Sequence, residues 1–97
     1  MVDIMERKVI RKSIIFYGRV QGVGFRYRAK YAAESLRLTG WVRNEEDGTV
    51  AMEVQGDEAS IDRMVQMLQQ DLYIDIADMD EKNLIPRDDE YNFHINE

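Results

Sequence analysis

The segment Gly18-Arg19-Val20-Gln21-Gly22-Val23-Gly24-Phe25-Arg26-Tyr27-Arg28 reads as a strand end, a glycine-rich turn and an unusual helix start. A helix N-terminus presents about four unpaired N–H groups and a partial positive charge. It is normally met by a Ser, Thr, Asp or Asn cap and by acid in the first turn. This one has neither, and places Arg26, Arg28 and Lys30 there, with Arg19 just before the turn. Such an end suits an anion that the chain does not itself supply. Gly22 and Gly24 leave room for close backbone approach, and Gly18 lets the strand turn sharply. A phosphate at this position satisfies the N–H groups, and Arg26 then serves as its counterion through a planar fork that grips two oxygens at once. The plain alternative is a set of solvated basic side chains, each costing ~0.3–1 kcal/mol at the dipole end. The pattern has neither the Lys-Ser/Thr of a Walker loop nor a dinucleotide G-x-G-x-x-G, so it specifies an anion and not which one.

A second group is Gly40-Trp41-Val42-Arg43-Asn44-Glu45-Glu46-Asp47-Gly48, where Asn44 ends a strand just before a hairpin. Asn is a common turn residue, and alone this position needs no function. Placed beside the first turn, its carboxamide both donates and accepts: the oxygen can hold a water and the nitrogen can steady a phosphate or leaving group. Other candidates carry less. His94, the single histidine, has no evident partner and reads as structural. Asp78, Asp80 and Glu81, with Asp88, Asp89 and Glu90, read as a solvated acidic loop, because no calcium-loop spacing is present. No metal site is expected.

The elements that must position these residues follow from periodicity. Lys8–Tyr17 is apolar at both parities and β-prone, a central strand. Gly18–Gly24 is the turn. Phe25–Arg37 is a helix, with Phe25, Ala29, Ala32, Ala33 and Leu36 on one face and Gly40 at its end. A second strand begins at Trp41, and Asp47-Gly48 signals a hairpin. Thr49–Gln55 alternates, with Val50, Met52 and Val54 on one face and Ala51, Glu53 and Gln55 on the other. Asp57 caps a second helix whose stripe is Ile61, Met64, Val65 and Leu68. Leu72, Ile74 and Ile76 suggest a fourth strand, Tyr91–Ile95 a short fifth, and residues 78–90 are ambiguous. The order βαββαβ predicts an α+β, ferredoxin-like split βαβ sandwich: two helices on one face of a four- to five-stranded, mainly antiparallel sheet. That architecture hosts many activities and decides none.

Ninety-seven residues suit one domain spanning residues 1–97, with residues 1–7 and the last two expected to fray. Residues 1–44 carry ten Lys/Arg against three Asp/Glu, and residues 45–97 carry three against sixteen. The two halves are expected to interleave and largely neutralise each other. No apolar run approaches the ~20 residues of a membrane span, and no signal-peptide pattern is present. The absence of cysteine excludes disulfide and thiol chemistry and fits a reducing, cytoplasmic setting. Gln21–Arg28 partly matches an aromatic RNA-contact motif. However, Val23 stands where an aromatic is needed, Arg26 breaks the alternation, and the acidic half opposes a polyanion. Neither nucleic acid nor membrane is an expected partner, and the chain is expected to be a monomer.

"GRVQGVGFRYR" followed at this spacing by "LTGWVRNEEDGTVAMEVQG" resembles the acylphosphatase family, well over residues 8–70 and weakly beyond. The resemblance implies hydrolysis of small-molecule acyl phosphates to a carboxylate and inorganic phosphate by direct attack of water, without cofactor, metal or covalent intermediate. It implies that Gln21, Gly22, Val23, Gly24 and Phe25 form the phosphate cradle, that Arg26 binds the phosphate with them, and that Asn44 positions the water. So sparse a toolkit is chemically adequate, since a carboxylate leaves without protonation and what remains is positioning and charge. Two departures stand out. Glu45 follows Asn44 where a small polar residue is usual, and is expected on the hairpin rather than in the site. The segment after the second helix lacks the Gly-Pro dipeptide associated with the family. The alternative is a related domain that binds phosphate or carbamoyl phosphate, or regulates, without turnover.

Overall fold

The computed structural model describes residues 8–97, so the expected fraying of residues 1–7 lies outside the described residues. The elements run β1 (Val9–Arg19), α1 (Phe25–Ser35), β2 (Thr39–Asn44), β3 (Val50–Asp57), α2 (Glu58–Gln69), β4 (Asp75–Leu84) and β5 (Phe93–Ile95). They form one five-stranded sheet in the order β4-β1-β3-β2-β5. Every pairing is antiparallel except the parallel β2–β5 edge, so the sheet is mixed. The two helices pack on this sheet, and the core between them is built from Ile14 and Phe16 of β1, Ala29 and Ala33 of α1, Met52 and Val54 of β3, and Ile61, Met64 and Leu68 of α2. The α+β sandwich read from the pattern is the observed architecture.

Several local expectations need correction. Helix α1 ends at Ser35 rather than Arg37, and Gly40 is not its stop but lies inside β2. The left-handed position after the helix is Arg37, at φ 58°. Arg37 N–H donates to Glu34 O at 3.3 Å and Leu38 N–H to Ala33 O at 2.8 Å, which closes the helix as a Schellman motif without glycine. Asp57 occupies the N-cap of α2 but makes no side-chain capping bond. Ala51 and Gln55 are buried like Val50, Met52 and Val54, because the sheet's other face is also covered in part. That cover is the β4–β5 connection: Gln55 Nε2 donates to Arg87 O, and Arg87 N–H donates to Gln55 Oε1, both at 2.8 Å. Finally, Asp78, Asp80 and Glu81 belong to a strand rather than a loop. They lie in β4 opposite Tyr17, Ile15 and Ile14. An outer strand meets water on its free edge and exposed face, so acids there are tolerated and discourage pairing with another chain.

Candidate active site

β1 delivers the chain to the glycine-rich turn through a register shift at Tyr17/Gly18. Gly18 has φ 123°, and a Cβ there would collide with the Asp75 carbonyl and Ala77 N–H of β4. Val20 is fully buried and anchors the chain as it leaves the sheet, and Phe25, buried against Phe16 with ring centroids 4.8 Å apart, anchors it again as α1 begins. Between these anchors the backbone loops outward. Gly24 is the α1 N-cap in left-handed conformation, with no side-chain cap and no acid in the first turn. The first α1 amide with a backbone acceptor is that of Arg28, to Gly24 O at 3.1 Å. Among the described residues no protein group accepts from the amides of Gln21, Gly22, Val23, Gly24 or Phe25.

The side chains around this turn divide sharply. Arg26 is half-buried, with its guanidinium Nη1 3.7 Å from Glu97 Oε1. Gln21 turns away from the turn's mouth. Its Nε2 donates to Glu45 O at 2.7 Å and Thr49 O at 2.8 Å, the two carbonyls at the neck of the β2–β3 hairpin. The hairpin is stiffened in turn by Glu45 N–H to Thr49 O at 2.9 Å, and by Asp47 Oδ1, which accepts from the Thr49 amide at 3.0 Å and hydroxyl at 2.6 Å. Those bonds hold the Asp47 carboxyl below its ordinary value.

Asn44 ends β2 immediately before that neck, half-buried and opposite Val50, whose other neighbour across the sheet is Phe16. Asn44 therefore stands at the sheet end from which β1 runs into the turn. A second route leads to the same place. β5 pairs in parallel with β2, Val42 opposite Ile95, and two residues further along each chain come Asn44 and Glu97, the latter beside Arg26. The turn, Arg26 and Asn44 thus share one end of the molecule. Glu45 points elsewhere: strand alternation puts it on the face of Arg43, which donates to its Oε1 from Nη2 at 3.1 Å. His94 is exposed on β5, opposite Trp41 of β2, and among the described residues no group of three or more His, Cys, Asp or Glu could hold a metal ion. Among the described residues no helix is long and apolar enough to cross a membrane.

Sequence reasoning anticipated the turn, the uncapped start of α1 and the strand end at Asn44, because each is announced by residues close in the chain. It missed Arg28, Glu97 and the strut role of Gln21. Arg28 donates from Nη1 to Val23 O at 2.9 Å and pairs through Nε with Asp71 Oδ2 at 2.6 Å. The Asp71, Glu97 and Gln21 contacts join segments far apart in the chain, and the Val23 contact depends on the path of the turn, so no residue pattern announces them.

Comparison with known proteins fits this geometry. Residues 12–95 match the family described as Acylphosphatase. An acylphosphatase of Clostridium perfringens (strain SM101 / Type A) is 47% identical over 77 residues, covering 78% of this chain and 86% of its own length. One from Geobacillus kaustophilus (strain HTA426) is 42% identical over 86 residues, covering 88% of this chain and 92% of its own. The crystal structure of acylphosphatase from Bacillus subtilis superposes with a TM-score of 0.84 at 30% identity, over 91% of this chain and 99% of that one. With the family profile matched across nearly all the described residues and relatives well above 30% identity over most of their lengths, the chain belongs to the acylphosphatase family.

Proposed function

We infer that the protein hydrolyses acyl phosphates to a carboxylate and inorganic phosphate, with the Gln21–Phe25 turn and Arg26 holding the phosphoryl group and Asn44 orienting the attacking water. The observation that carries this reading is the row of turn amides without a protein acceptor, set in front of the uncapped α1 N-terminus with a guanidinium at its side. A phosphoryl group has three peripheral oxygens; amides, helix dipole and fork together offer donors for all of them. The water oxygen forms a bond to phosphorus as the bond from phosphorus to the acyl oxygen breaks. The electron pair leaves with the carboxylate, which needs no proton. The water's protons pass to the phosphate product and solvent. Charge spreads over the peripheral oxygens in the transition state, where fixed donors contribute most. The Asn44 side chain at the sheet end can accept from the water through its oxygen while its nitrogen steadies a phosphoryl oxygen. In the same reading the protein acts as a cytoplasmic monomer. The lack of cysteine is what supports that compartment.

A phosphate-release assay on acetyl phosphate tests the assignment. Asn44→Ala should lower kcat by about 10²–10³ with little change in KM, as expected for a group that acts mainly in the transition state. Arg26→Lys should be nearly as damaging as Arg26→Ala, because a point charge does not reproduce the fork. An Asn44 variant that weakens only phosphate binding would remove the water-orienting role. A wild type that binds phosphate yet releases none from the substrate would leave a binding domain instead.

A further inference from the structure

Beside the turn, a cleft of about 480 Å³ opens between the end of β1 and the α2–β4 connection, lined by Arg19, Gly22, Val23, Arg28, Leu72 and Tyr73. Gly22 and Val23 belong to the phosphate cradle, so whatever is attached to a phosphoryl group held there has direct access to the cleft. The far wall is apolar and open to water: Leu72 is 94% exposed and Tyr73 66%. It is also fixed in place. Arg28 lies over the Tyr73 ring at 5.2 Å, pairs with Asp71, and holds the Val23 carbonyl. The Arg28 charge is thereby matched by Asp71 within the wall itself. Arg19 differs. It is exposed at the cleft, it has no ion-pair partner among the described residues, and Asp75, opposite it in the β1–β4 register, does not pair with it.

We propose that this cleft receives the acyl tail and that Arg19 gives the enzyme a preference for acyl phosphates whose tail ends in a second anion, a carboxylate or a phosphate. The tail leaves the cradle past Gly22, its carbon chain covers Leu72 and the Tyr73 ring, and its terminal charge meets the one guanidinium there not already matched. Arg19 is a specificity residue in this scheme, remote from the reacting atoms. The proposal rests on the hydrolytic reading of the cradle.

The test compares succinyl phosphate with butyryl phosphate, two acyl phosphates with the same four-carbon acyl chain, of which only the first carries a terminal carboxylate. The readout is the ratio of their kcat/KM values. Wild type should favour succinyl phosphate. Arg19→Ala should reduce the ratio about fivefold, the size of one exposed charge pair, and Arg19→Glu should reduce it further. Salt should narrow the wild-type ratio more than that of either variant. Arg63→Glu, the same change in net charge on the exposed face of α2, should leave the ratio in place. Thermal unfolding of each variant confirms that the fold is kept, as expected for an exposed side chain. A ratio that Arg19→Glu leaves unchanged overturns the tail site, whatever happens to absolute rates. An equal fall in Arg63→Glu also overturns it, because the preference would then come from the field of the whole molecule. A wild type that turns over neither substrate removes the hydrolytic reading and the tail site with it, an outcome distinct from both others.

Discussion

Gln21 shows how one side chain can serve the site without facing it. The backbone of Gln21 contributes to the proposed cradle, while its carboxamide spans to two carbonyls of the β2–β3 hairpin, one of them on the residue after Asn44. The side chain therefore sets the distance between the proposed phosphate-holding turn and Asn44, the residue proposed to orient the water. Replacing it with leucine keeps the approximate volume and removes both donors, leaving two part-buried carbonyls without them. Each loss should cost about 1 kcal/mol of stability. The sharper expectation is kinetic: Gln21→Leu should lower kcat on acetyl phosphate by roughly tenfold, through displacement of Asn44, while inorganic phosphate binds almost as before. A variant with reduced stability and an unaltered kcat would show that the strut has no bearing on the chemistry. The glycine-rich turn and the uncapped, acid-free start of α1 were legible in the sequence because a helix start of the wrong charge is a contradiction visible within a dozen residues. The Gln21 strut was not, because its acceptors lie 24 and 28 residues away and the bond exists only once β1 and β2 flank β3.

At the level of elements, the two helix starts and one helix end depart from the ordinary rules in different ways. α1 leaves its N-terminus without a cap, which the proposed anion explains; α2 has an acid at each of its first positions, yet Asp57 makes no capping bond. The end of α1 is the more informative. Arg37 takes the left-handed position of a Schellman motif, and Leu38, which follows, is buried and must be. The chain has to reverse within three residues to enter β2, so the motif is imposed by the buried Leu38 rather than by the residue at its bend. A non-glycine residue in that conformation costs roughly 1–2 kcal/mol, and glycine recovers it less its own entropy, so Arg37→Gly should stabilise the protein by about 0.5–1 kcal/mol in urea unfolding. A neutral or destabilising result would mean the Arg37 side chain holds something the backbone account omits. This end was misread because glycine is the usual mark of a helix stop, and Gly40 lay close enough to take the role. β4 was misread for a related reason. Its outer strand carries acids in place of the alternating pattern that marks a half-buried strand, since β4 has a neighbour on one side only.

Over the whole molecule, the sheet order explains a charge distribution that looks hazardous in the sequence. The first half of the chain, rich in Lys and Arg, provides β1 and β2; the acidic second half provides β4, β3 and β5; and the order β4-β1-β3-β2-β5 alternates the two throughout. Among the described residues, five long-range ion pairs join the basic half to the acidic half: Lys12 with Glu81, Arg26 with Glu97, Arg28 with Asp71, and Arg11 with both Glu53 and Glu90. Interleaving was legible from the charge count and the element order together; which pairs would be buried was not. Arg11 is 1% exposed and Glu90 6%, joined at 2.8 and 3.2 Å beneath the β4–β5 connection that Gln55 fastens to the sheet. Burial opposes ionisation of Glu90, but the bonds and charge of Arg11 prevail and hold its carboxyl below the ordinary 4.5. A carboxyl with a depressed folded pKa releases its proton more readily in the native state. Its stabilisation is therefore complete above the ordinary carboxylate range and is lost as pH falls through the lower, folded value. Glu90→Gln should cost about 3 kcal/mol near neutral pH, the lower end for breaking a buried pair, because Arg11 keeps Glu53. In urea unfolding the difference between wild type and Glu90→Gln should shrink steadily as pH falls below about 5 and through the lower, folded value, where protonation makes the native side chain resemble its replacement. A difference that stays constant over that range would mean that the variant loses packing rather than charge. In that case the Arg11–Glu90 pair would have no part in the acid sensitivity of the fold.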